Sequence, residues 1–253
     1  MRNGGAEQWR GVLGEAEYRL AAAYFDCIES GLRAAASECG RFAEVAHYVI
    51  AAGGRRIRPL VTLATCDALA GKWPDAAQAA VAVELIHTAS LIHDDILDGS
   101  QERRGQSAAH VKFGTNLALL TGDMLVFAAL RSAQAFPGAA KALTAACCSM
   151  CLGEAVMDPI ESARLKTGAL FRAAAEVGAL AAGAPQERIT VIGQYGELLG
   201  TAYQLRDDEL DAQRNVSPRR YADEALLRLA GLPGSSAKDL LVQLARFAWQ
   251  RPK

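Results

Sequence analysis

The chain has 253 residues, of which 51% are hydrophobic and 22% are charged, and its formal net charge at pH 7 is -1. This composition excludes a chain that is disordered throughout, because enough apolar surface is present to offset the conformational entropy lost on folding. The near-zero net charge gives no general reason to expect a nucleic acid as partner.

No stable membrane insertion is predicted. The longest apolar stretches, 76–91 and 117–130, are interrupted by polar or charged residues, whereas a membrane span needs about 18 uninterrupted apolar residues. Residues 1–10 contain no apolar run, so no secretory signal is predicted either. The six cysteines lack the regular spacing of a disulfide framework. We therefore expect a cytoplasmic protein. Buried structural thiols are favoured over a metal site for the three cysteines in segment 147–151.

Residues that favour helix dominate the chain, and strand signals are nearly absent. The prediction is a single all-α domain over residues 1–253, a bundle of about ten helices. In chain order, helices are predicted at 9–37, 42–52, 59–69, 75–97, 107–135, 139–157, 163–182, 186–211, 218–229 and 236–249. The segment 75–97 is apolar almost all round, which is typical of a helix buried inside a bundle. It nevertheless ends in three carboxylates, and such a local conflict indicates a functional region.

Two groups of aspartates share one spacing. The first aspartate cluster comprises Asp94, Asp95 and Asp98, and the second comprises Asp207, Asp208 and Asp211. On a helix, the first and last members of each cluster lie one turn apart on one face, where two like charges cost roughly 0.2–0.5 kcal/mol. Two carboxylates with water and phosphate oxygens form a typical Mg²⁺ site. A solvated helix end is the alternative interpretation, but the repeat of the spacing after two apolar runs favours metal binding.

Basic segments complement the clusters. In segment 53–59, three arginines follow two glycines. Glycines let the backbone approach an anion closely, and arginines bind phosphate through paired N–H donors. Arg103 and Arg104 follow the first cluster by five residues, in a short loop that can fold back over a metal site. These segments therefore predict a site for phosphorylated ligands.

One histidine aligns with the first cluster. At 100° per residue, His87 points within about 20° of Asp94 and Asp98 on a helix. A histidine on a buried face is more often a satisfied core residue, but this alignment favours a contact with a ligand. The other three histidines are predicted to be structural: His47, His93 and His110.

Taken in order, these motifs resemble the trans-isoprenyl diphosphate synthases, the head-to-tail polyprenyl synthases that include geranylgeranyl and octaprenyl diphosphate synthases. The resemblance rests on the segments 53–59, 84–98, 103–105, 122–123, 166–171 and 200–211. Each motif alone is weak, but the ordered set is specific and covers nearly the whole chain. It implies an all-α bundle around a deep central cavity and a Mg²⁺-dependent condensation of isopentenyl diphosphate with an allylic diphosphate.

The resemblance also implies a role for individual residues. Three Mg²⁺ ions around the allylic diphosphate would be bound by Asp94, Asp98, Asp207 and Asp211, with Asp95 and Asp208 behind them. The allylic diphosphate would contact Arg103, Lys166, Thr167 and Gln204. Isopentenyl diphosphate would contact Arg55, Arg58, His87 and Arg104. The residues expected to carry the chemistry are Asp94, Asp98, Arg103 and Lys166. A homodimer is expected from the family.

The family pattern also addresses product length. Ala89 and Ser90 occupy the positions that set chain length, and because both are small, geranylgeranyl diphosphate or a longer product is expected. Met124 and Phe127 are expected to close the pocket further down. The chain departs from the family after Asp211, where a lysine-bearing loop is absent.

Two other functions remain open at this point. A class I terpene cyclase also uses aspartate clusters and Mg²⁺ on an all-α fold, but it needs no isopentenyl pocket, so the arginines argue against it. A non-catalytic partner subunit of a heteromeric prenyl synthase would tolerate eroded carboxylates, yet all six aspartates are present. The shortened region after the second cluster is the one feature that favours a partner subunit.

Overall fold

The computed structural model describes residues 4–212 and 217–251, with the backbone alone at 4–5 and 209–212. Over this part the regular secondary structure is helical apart from one short hairpin. The helices are α1 (Gly4–Glu7), α2 (Glu15–Ser37), α3 (Ala43–Ala51), α4 (Ile57–Ala68), α5 (Ala77–Leu97), α6 (Ala109–Phe113), α7 (Thr115–Ala133), α8 (Ala139–Glu154), α9 (Pro159–Ala163), α10 (Ala169–Ala181), α11 (Gln186–Ala212), α12 (Pro218–Arg228) and α13 (Ser236–Gln250). The all-α prediction is confirmed.

The hairpin was not predicted. Strands β1 (Glu102–Arg103) and β2 (Gln106–Ser107) pair antiparallel directly after the first aspartate cluster. Each strand has two residues, which is too short for an alternating pattern of polar and apolar residues to appear in the sequence. The turn between them places Arg104 at a φ of 53°, in the left-handed region. The hairpin therefore turns two arginines back toward the end of α5.

Three predicted helices have different bounds in the structure. The first helix begins at Glu15 rather than at residue 9. The predicted helix 107–135 is divided into α6 and α7 at Gly114, whose φ of 87° cannot continue a helix. The segment before α10 holds the additional helix α9 and then a π-helical turn, Arg164–Gly168. Such a turn inside a helical run often marks a functional site.

Helix α5 lies in the core, as its apolar sequence predicts. It packs against α2, α4, α7 and α10. Its side chains are buried from Ala79 to Leu85 and onward to Ile92, with few interruptions. Burying a large aliphatic side chain such as Leu85 stabilises the fold by about 1.5–3 kcal/mol. The burial fixes α5 and therefore fixes the position of the carboxylates at its end.

Helix α7 packs beside α5 and presents a second face outward. Its outward apolar side chains include Leu119, Leu120 and Phe127, which are 44%, 50% and 65% exposed. The helix is long and apolar enough to cross a membrane by length and composition, although core helices of globular proteins often meet the same test. Its outer face is therefore an apolar patch beside the core.

The cysteines differ from the prediction in part. All six are free thiols, and Cys39 and Cys66 are buried, as expected of structural cysteines. Cys148 and Cys151 are instead exposed on α8, so the expectation of burial is wrong for them. The sequence around them is apolar, but α8 turns this face away from the bundle. Among the described residues, no three histidine, cysteine, aspartate or glutamate side chains converge on one metal position.

Candidate active site

The first aspartate cluster lies at the end of α5, with a different environment at each position. Asp94 is half-buried, Asp95 is buried and Asp98 is exposed. The backbone N–H of Asp98 donates to the Asp94 carbonyl at 2.8 Å, so the helical spacing persists through the cluster. Burial raises the pKa of Asp94, and the nearby carboxylates of Glu154 and Asp98 raise it further. An electrostatic demand for a cation is thus built into this end of α5.

Arg103 folds back from β1 onto this cluster. Its Nε donates to the Asp95 carboxylate at 2.8 Å, and its Nη2 donates to the same oxygen. The hydrogen bond to Asp95, followed by the charges of Asp95, Asp94 and Asp98, raises the pKa of Arg103 above its ordinary value. The predicted diphosphate contact is therefore positioned by the buried member of the cluster, which leaves Asp94 and Asp98 for a metal.

Lys166 lies in the π-helical turn, opposite the first cluster. Its ammonium binds Glu154, the last residue of α8, at 2.7 Å. Lys166 also acts electrostatically on Asp94, since it lowers the pKa that Glu154 raises. Sequence reasoning missed Glu154. One signal was present, because an acidic residue in the last turn of a helix opposes the helix dipole unless a cation compensates it.

The next residue in the turn connects the two clusters. The Thr167 hydroxyl donates to the Gln204 amide oxygen at 2.9 Å, and the Gln204 amide nitrogen donates to Asp208 at 3.0 Å. Lys166 therefore faces the first cluster while its neighbour Thr167 is bound to the second. The π-helical turn holds two predicted allylic contacts between the two carboxylate groups.

The second aspartate cluster lies at the end of α11. Asp207 forms an ion pair with Arg251, the residue that follows α13. The Arg251 side chain is only 2% exposed and stacks on the ring of Tyr203, 3.4 Å from the ring centroid. Sequence reasoning missed both Tyr203 and Arg251. The side chain of Asp211 lies outside the described residues.

A group of cations lies beside the second cluster. Arg55 donates to the Tyr203 hydroxyl at 2.9 Å, and its guanidinium lies over the ring of Phe247. Arg58 lies over the ring of Phe171, and its Nε is buried without a hydrogen-bond partner. One guanidinium nitrogen of Arg251, Nη1, is likewise buried without a partner. Buried guanidinium donors without acceptors are costly, and an anionic ligand would satisfy them.

Arg104 and His87, two further residues predicted to contact isopentenyl diphosphate, lie near this group. Arg104 donates to the carbonyl of Gly53. Gly54 has a φ of 138°, which favours glycine, and a Cβ there would lie 2.7 Å from the Arg104 guanidinium, so a larger residue would displace Arg104. Burial, followed by the charges of Arg58 and Arg104, lowers the pKa of His87 well below its ordinary value. His87 is therefore a neutral hydrogen-bonding group at pH 7.

The remaining arginine of segment 53–59 has a different role. Arg56 is buried and donates to Glu29 at 2.7 Å, to Glu84 at 2.9 Å and to the Ile50 carbonyl. These contacts hold the junction between the loop that carries Arg55 and the start of α4, which carries Arg58. Sequence reasoning grouped the three arginines but assigned only two to a ligand, and the structure separates them in the same way.

The three histidines predicted to be structural lie away from the cation group. His47 contacts Ser37, and His93 lies 3.5 Å from Asp123 on α7. His110 is in α6, and its Nδ1 is buried without a hydrogen-bond partner.

The predicted length-determining residues lie one turn before the first cluster. Ala89 is fully buried, and the Ser90 hydroxyl donates to the carbonyl of His87 at 2.9 Å. Both side chains are small. Met124 is half-buried, but Phe127 is 65% exposed on the outer face of α7. Phe127 therefore does not close the pocket within one chain, contrary to expectation, because the outward turn of α7 carries it to the surface.

The residues of the two clusters fit a divalent metal of the Mg²⁺ type. Asp94 and Asp98 provide two carboxylates, and the pKa of Asp94 is raised by burial and then by the charges of Glu154 and Asp98, which a hard cation would offset. Mg²⁺ commonly takes one or two carboxylates and completes its coordination with water and phosphate oxygens. Two protein ligands at one cluster are therefore sufficient when a diphosphate is present.

The fold and the site together define a class. An all-α bundle with two aspartate clusters at the ends of α5 and α11, facing a group of arginines, is the arrangement of an isoprenoid synthase. The family model described as Polyprenyl synthetase matches residues 40–218. The chain belongs to the polyprenyl synthetase family, and the resemblance predicted from its motifs is confirmed.

Curated relatives carry related names. The chain is 37% identical over 182 residues to the short chain isoprenyl diphosphate synthase of Methanothermobacter thermautotrophicus, covering 65% of this chain and 56% of the relative. It is 40% identical over 187 residues to the geranylfarnesyl diphosphate synthase of Aeropyrum pernix, covering 64% and 59%. The chain thus spans less than two thirds of the length of these relatives.

A solved structure is similar over nearly the whole chain. The polyprenyl synthase from Caulobacter crescentus, complexed with calcium and isoprenyl diphosphate, is 28% identical, with a TM-score of 0.86 over 94% of this chain and 97% of that one. A decaprenyl diphosphate synthase from Rhodobacter capsulatus shares the fold at a TM-score of 0.84 and 24% identity, covering 92% and 98%.

Proposed function

We propose that this chain is a Mg²⁺-dependent trans-prenyltransferase, which condenses isopentenyl diphosphate with an allylic diphosphate to make a trans-polyprenyl diphosphate. The observation that carries the proposal is the group of arginines beside the second cluster, in which Arg58 and Arg251 each keep a buried donor without an acceptor. Together with two carboxylate clusters, it supports a site for two diphosphates, one bound through metal and one through arginines.

In this proposal the allylic diphosphate binds between the two clusters. Bound Mg²⁺ would neutralise the negative charge that grows on the departing diphosphate. Lys166 and Arg103 donate hydrogen bonds to the same group, and Thr167 and Gln204 hold its other side. Asp94, Asp98 and Asp207 would bind the metal, with Asp211 as the predicted fourth carboxylate. Because Asp94 is half-buried at the end of a helix that lies in the apolar core, these charge interactions are stronger than in water.

Isopentenyl diphosphate binds beside it in the proposal, with its diphosphate on Arg55, Arg58 and Arg104. Neutral His87 donates or accepts a hydrogen bond without adding charge. The isopentenyl double bond attacks the allylic cation, and loss of a proton leaves a product longer by one isoprene unit. The released diphosphate is the proposed proton acceptor. The apolar wall of the bundle excludes water that would otherwise quench the cation.

We further propose a product of geranylgeranyl length or longer. Ala89 and Ser90 are small, so the growing chain can pass them along α5. The name of the Aeropyrum pernix relative, geranylfarnesyl diphosphate synthase, supports a product of at least geranylgeranyl length.

The proposal includes a homodimer in the cytoplasm. The exposed apolar side chains of α7, Leu119, Leu120 and Phe127, support a protein interface there. Six free thiols support a reducing compartment. Light scattering after size-exclusion chromatography tests the dimer, and cell fractionation tests the location.

The experiment is a chain-length assay. Purified protein, Mg²⁺ and isopentenyl diphosphate are incubated with dimethylallyl, geranyl, farnesyl or geranylgeranyl diphosphate, and products are sized by mass spectrometry with an EDTA control. A Mg²⁺-dependent ladder ending at one length is expected. Cyclic hydrocarbon formed without isopentenyl diphosphate would instead identify a terpene cyclase. An inactive chain that gains activity only with a second prenyl synthase subunit would identify a partner subunit.

A further inference from the structure

The end of α8 is built around Lys166. A Cβ at Gly153 would lie 2.7 Å from the Lys166 Cγ and 2.9 Å from its backbone nitrogen. The glycine therefore lets the helix end rest directly on the π-helical turn. The next residue, Glu154, then binds the Lys166 ammonium through both carboxylate oxygens at 2.7 Å. Ser162 reinforces this packing by donating to the Gly153 carbonyl at 3.3 Å.

Two acidic side chains, Glu154 and Asp94, interact with the Lys166 ammonium. Glu154 forms the ion pair, but Asp94 also interacts electrostatically with both Lys166 and Glu154. Arg103, the other cation near the first cluster, is already bound to Asp95. Loss of Glu154 would leave the Lys166 ammonium without its ion-pair partner, and an ammonium bound to Asp94 instead would compete with a metal cation for the same oxygens.

We propose that Glu154 is a positioning residue: by holding the Lys166 ammonium, it keeps Lys166 off Asp94 and leaves that carboxylate available to the metal. This inference rests on the proposed function and deepens it. Glu154 sits at the C-terminal end of α8, where the helix dipole disfavours a negative charge. The pair with Lys166 compensates that cost. Glu154 is then a partner of Lys166 at rest, and the bound diphosphate replaces it as the acceptor.

The test measures how diphosphate binding depends on Mg²⁺, because a purely structural role of Glu154 would not change that dependence. Isothermal titration calorimetry with inorganic diphosphate at a series of free Mg²⁺ concentrations gives the Mg²⁺ midpoint for diphosphate binding. Glu154→Gln is expected to raise that midpoint about tenfold, at the low end of the effect of removing a residue that supports a metal ligand. The thermal midpoint should barely change, since both partners are about 40% exposed and such pairs contribute little stability.

The chain offers a matched control. Glu161 has the same exposed side-chain fraction as Glu154, 42%, and it pairs with Arg164 on the same segment. Arg164 keeps a second partner in Glu197, so Glu161→Gln removes one acidic charge without releasing a cation. The Glu161→Gln protein should keep the wild-type Mg²⁺ midpoint.

A double-mutant cycle separates positioning from a simple field effect. If Glu154 acts through Lys166, Glu154→Gln has no effect on the Mg²⁺ midpoint in a Lys166→Met background. An equal shift in both backgrounds would overturn the proposal, because the glutamate would then act only through its own charge. An unchanged midpoint in Glu154→Gln alone would overturn it as well. Wild-type protein that binds no diphosphate at any Mg²⁺ concentration would instead overturn the proposed function, and this inference with it.

Discussion

The two aspartate clusters have the same spacing in the sequence but different surroundings in the fold. In the first, Asp95 is 5% exposed on its side chain and is bound by Arg103 from the adjacent hairpin. In the second, Asp207 is 47% exposed and is bound by Arg251, which comes from the distant end of α13. The first cluster is organised by local sequence, and the second depends on a long-range contact.

The spacing of a motif specifies where its carboxylates lie on the helix, whereas the surrounding residues specify the environment of those carboxylates. Each spacing places carboxylates on one helical face. The first cluster has an apolar wall and the Lys166–Glu154 pair beside it. The second cluster lies beside the arginines and the Tyr203 ring. Two motifs with the same spacing therefore lie in different parts of one proposed site, and the first cluster is the nearer one to the predicted reaction centre.

The largest expected effect is on the rate of product formation, and it compares Asp94 in the first cluster, a proposed metal ligand, with Asp208 in the second cluster, which is not. Asp94→Ala should lower the rate of product formation by about a thousandfold or more, since in the proposed mechanism it removes a carboxylate from the metal that would stabilise the departing diphosphate. Asp208→Asn should cost only about tenfold, because its described contact is with Gln204. Steady-state kinetics with saturating Mg²⁺ provide the comparison. Near-wild-type activity in Asp94→Ala would contradict the metal assignment.

The free energy of unfolding provides a second comparison of the two clusters. Asp95→Ala breaks a buried ion pair, a change that typically costs about 3–5 kcal/mol, although water partly compensates here because Arg103 is 38% exposed. We expect a loss of about 2 kcal/mol in the free energy of unfolding, measured by urea denaturation. Asp208→Ala removes one hydrogen bond of a half-buried side chain and should cost less than about 1 kcal/mol. Equal losses would show that the clusters are organised alike.

Product length distinguishes the helical segments that come before the two clusters. Ala89 on α5 and Ala202 on α11 are both fully buried, and each lies five residues before its cluster. Ala89→Phe should shorten the product by at least one isoprene unit, because the ring obstructs the path along α5. The same change at Ala202 should lower stability by about 1–3 kcal/mol through overpacking, without altering length. If phenylalanine prevents folding, valine at both positions preserves the comparison. Unchanged length in an active Ala89→Phe enzyme would refute this role.

The smallest effect concerns the arginine side of the site. The pKa of His87 is well below its unfolded value of about 6.5, so below that pH the unfolded chain takes up a proton that the folded chain does not. The contribution of His87 to stability is therefore lost as the pH falls. Between pH 7.5 and 5.5, wild-type protein should lose about 1 kcal/mol more than His87→Gln. Equal losses in urea denaturation would mean that His87 titrates normally.

The sequence could predict what depends on local pattern. Helix α5 and the carboxylates at its end follow from an apolar run ending in charge, and segment 53–59 indicated the arginines. Glu154 and Arg251 were not predicted, because their partners lie 12 and 44 residues away in the chain and no periodicity connects them. The π-helical turn that unites Lys166 with Glu154 packs against both α8 and α11, and no local propensity encodes such long-range contacts.

The central claim is that one site binds two diphosphates, one at the clusters and one at the arginines. A crystal structure with Mg²⁺, isopentenyl diphosphate and a non-reactive allylic thiodiphosphate tests it most directly. The account predicts metal density between Asp94, Asp98 and Asp207 and a second diphosphate on Arg55, Arg58 and Arg104. Ligands bound with the arginine group empty, or with metal absent from both clusters, would contradict it.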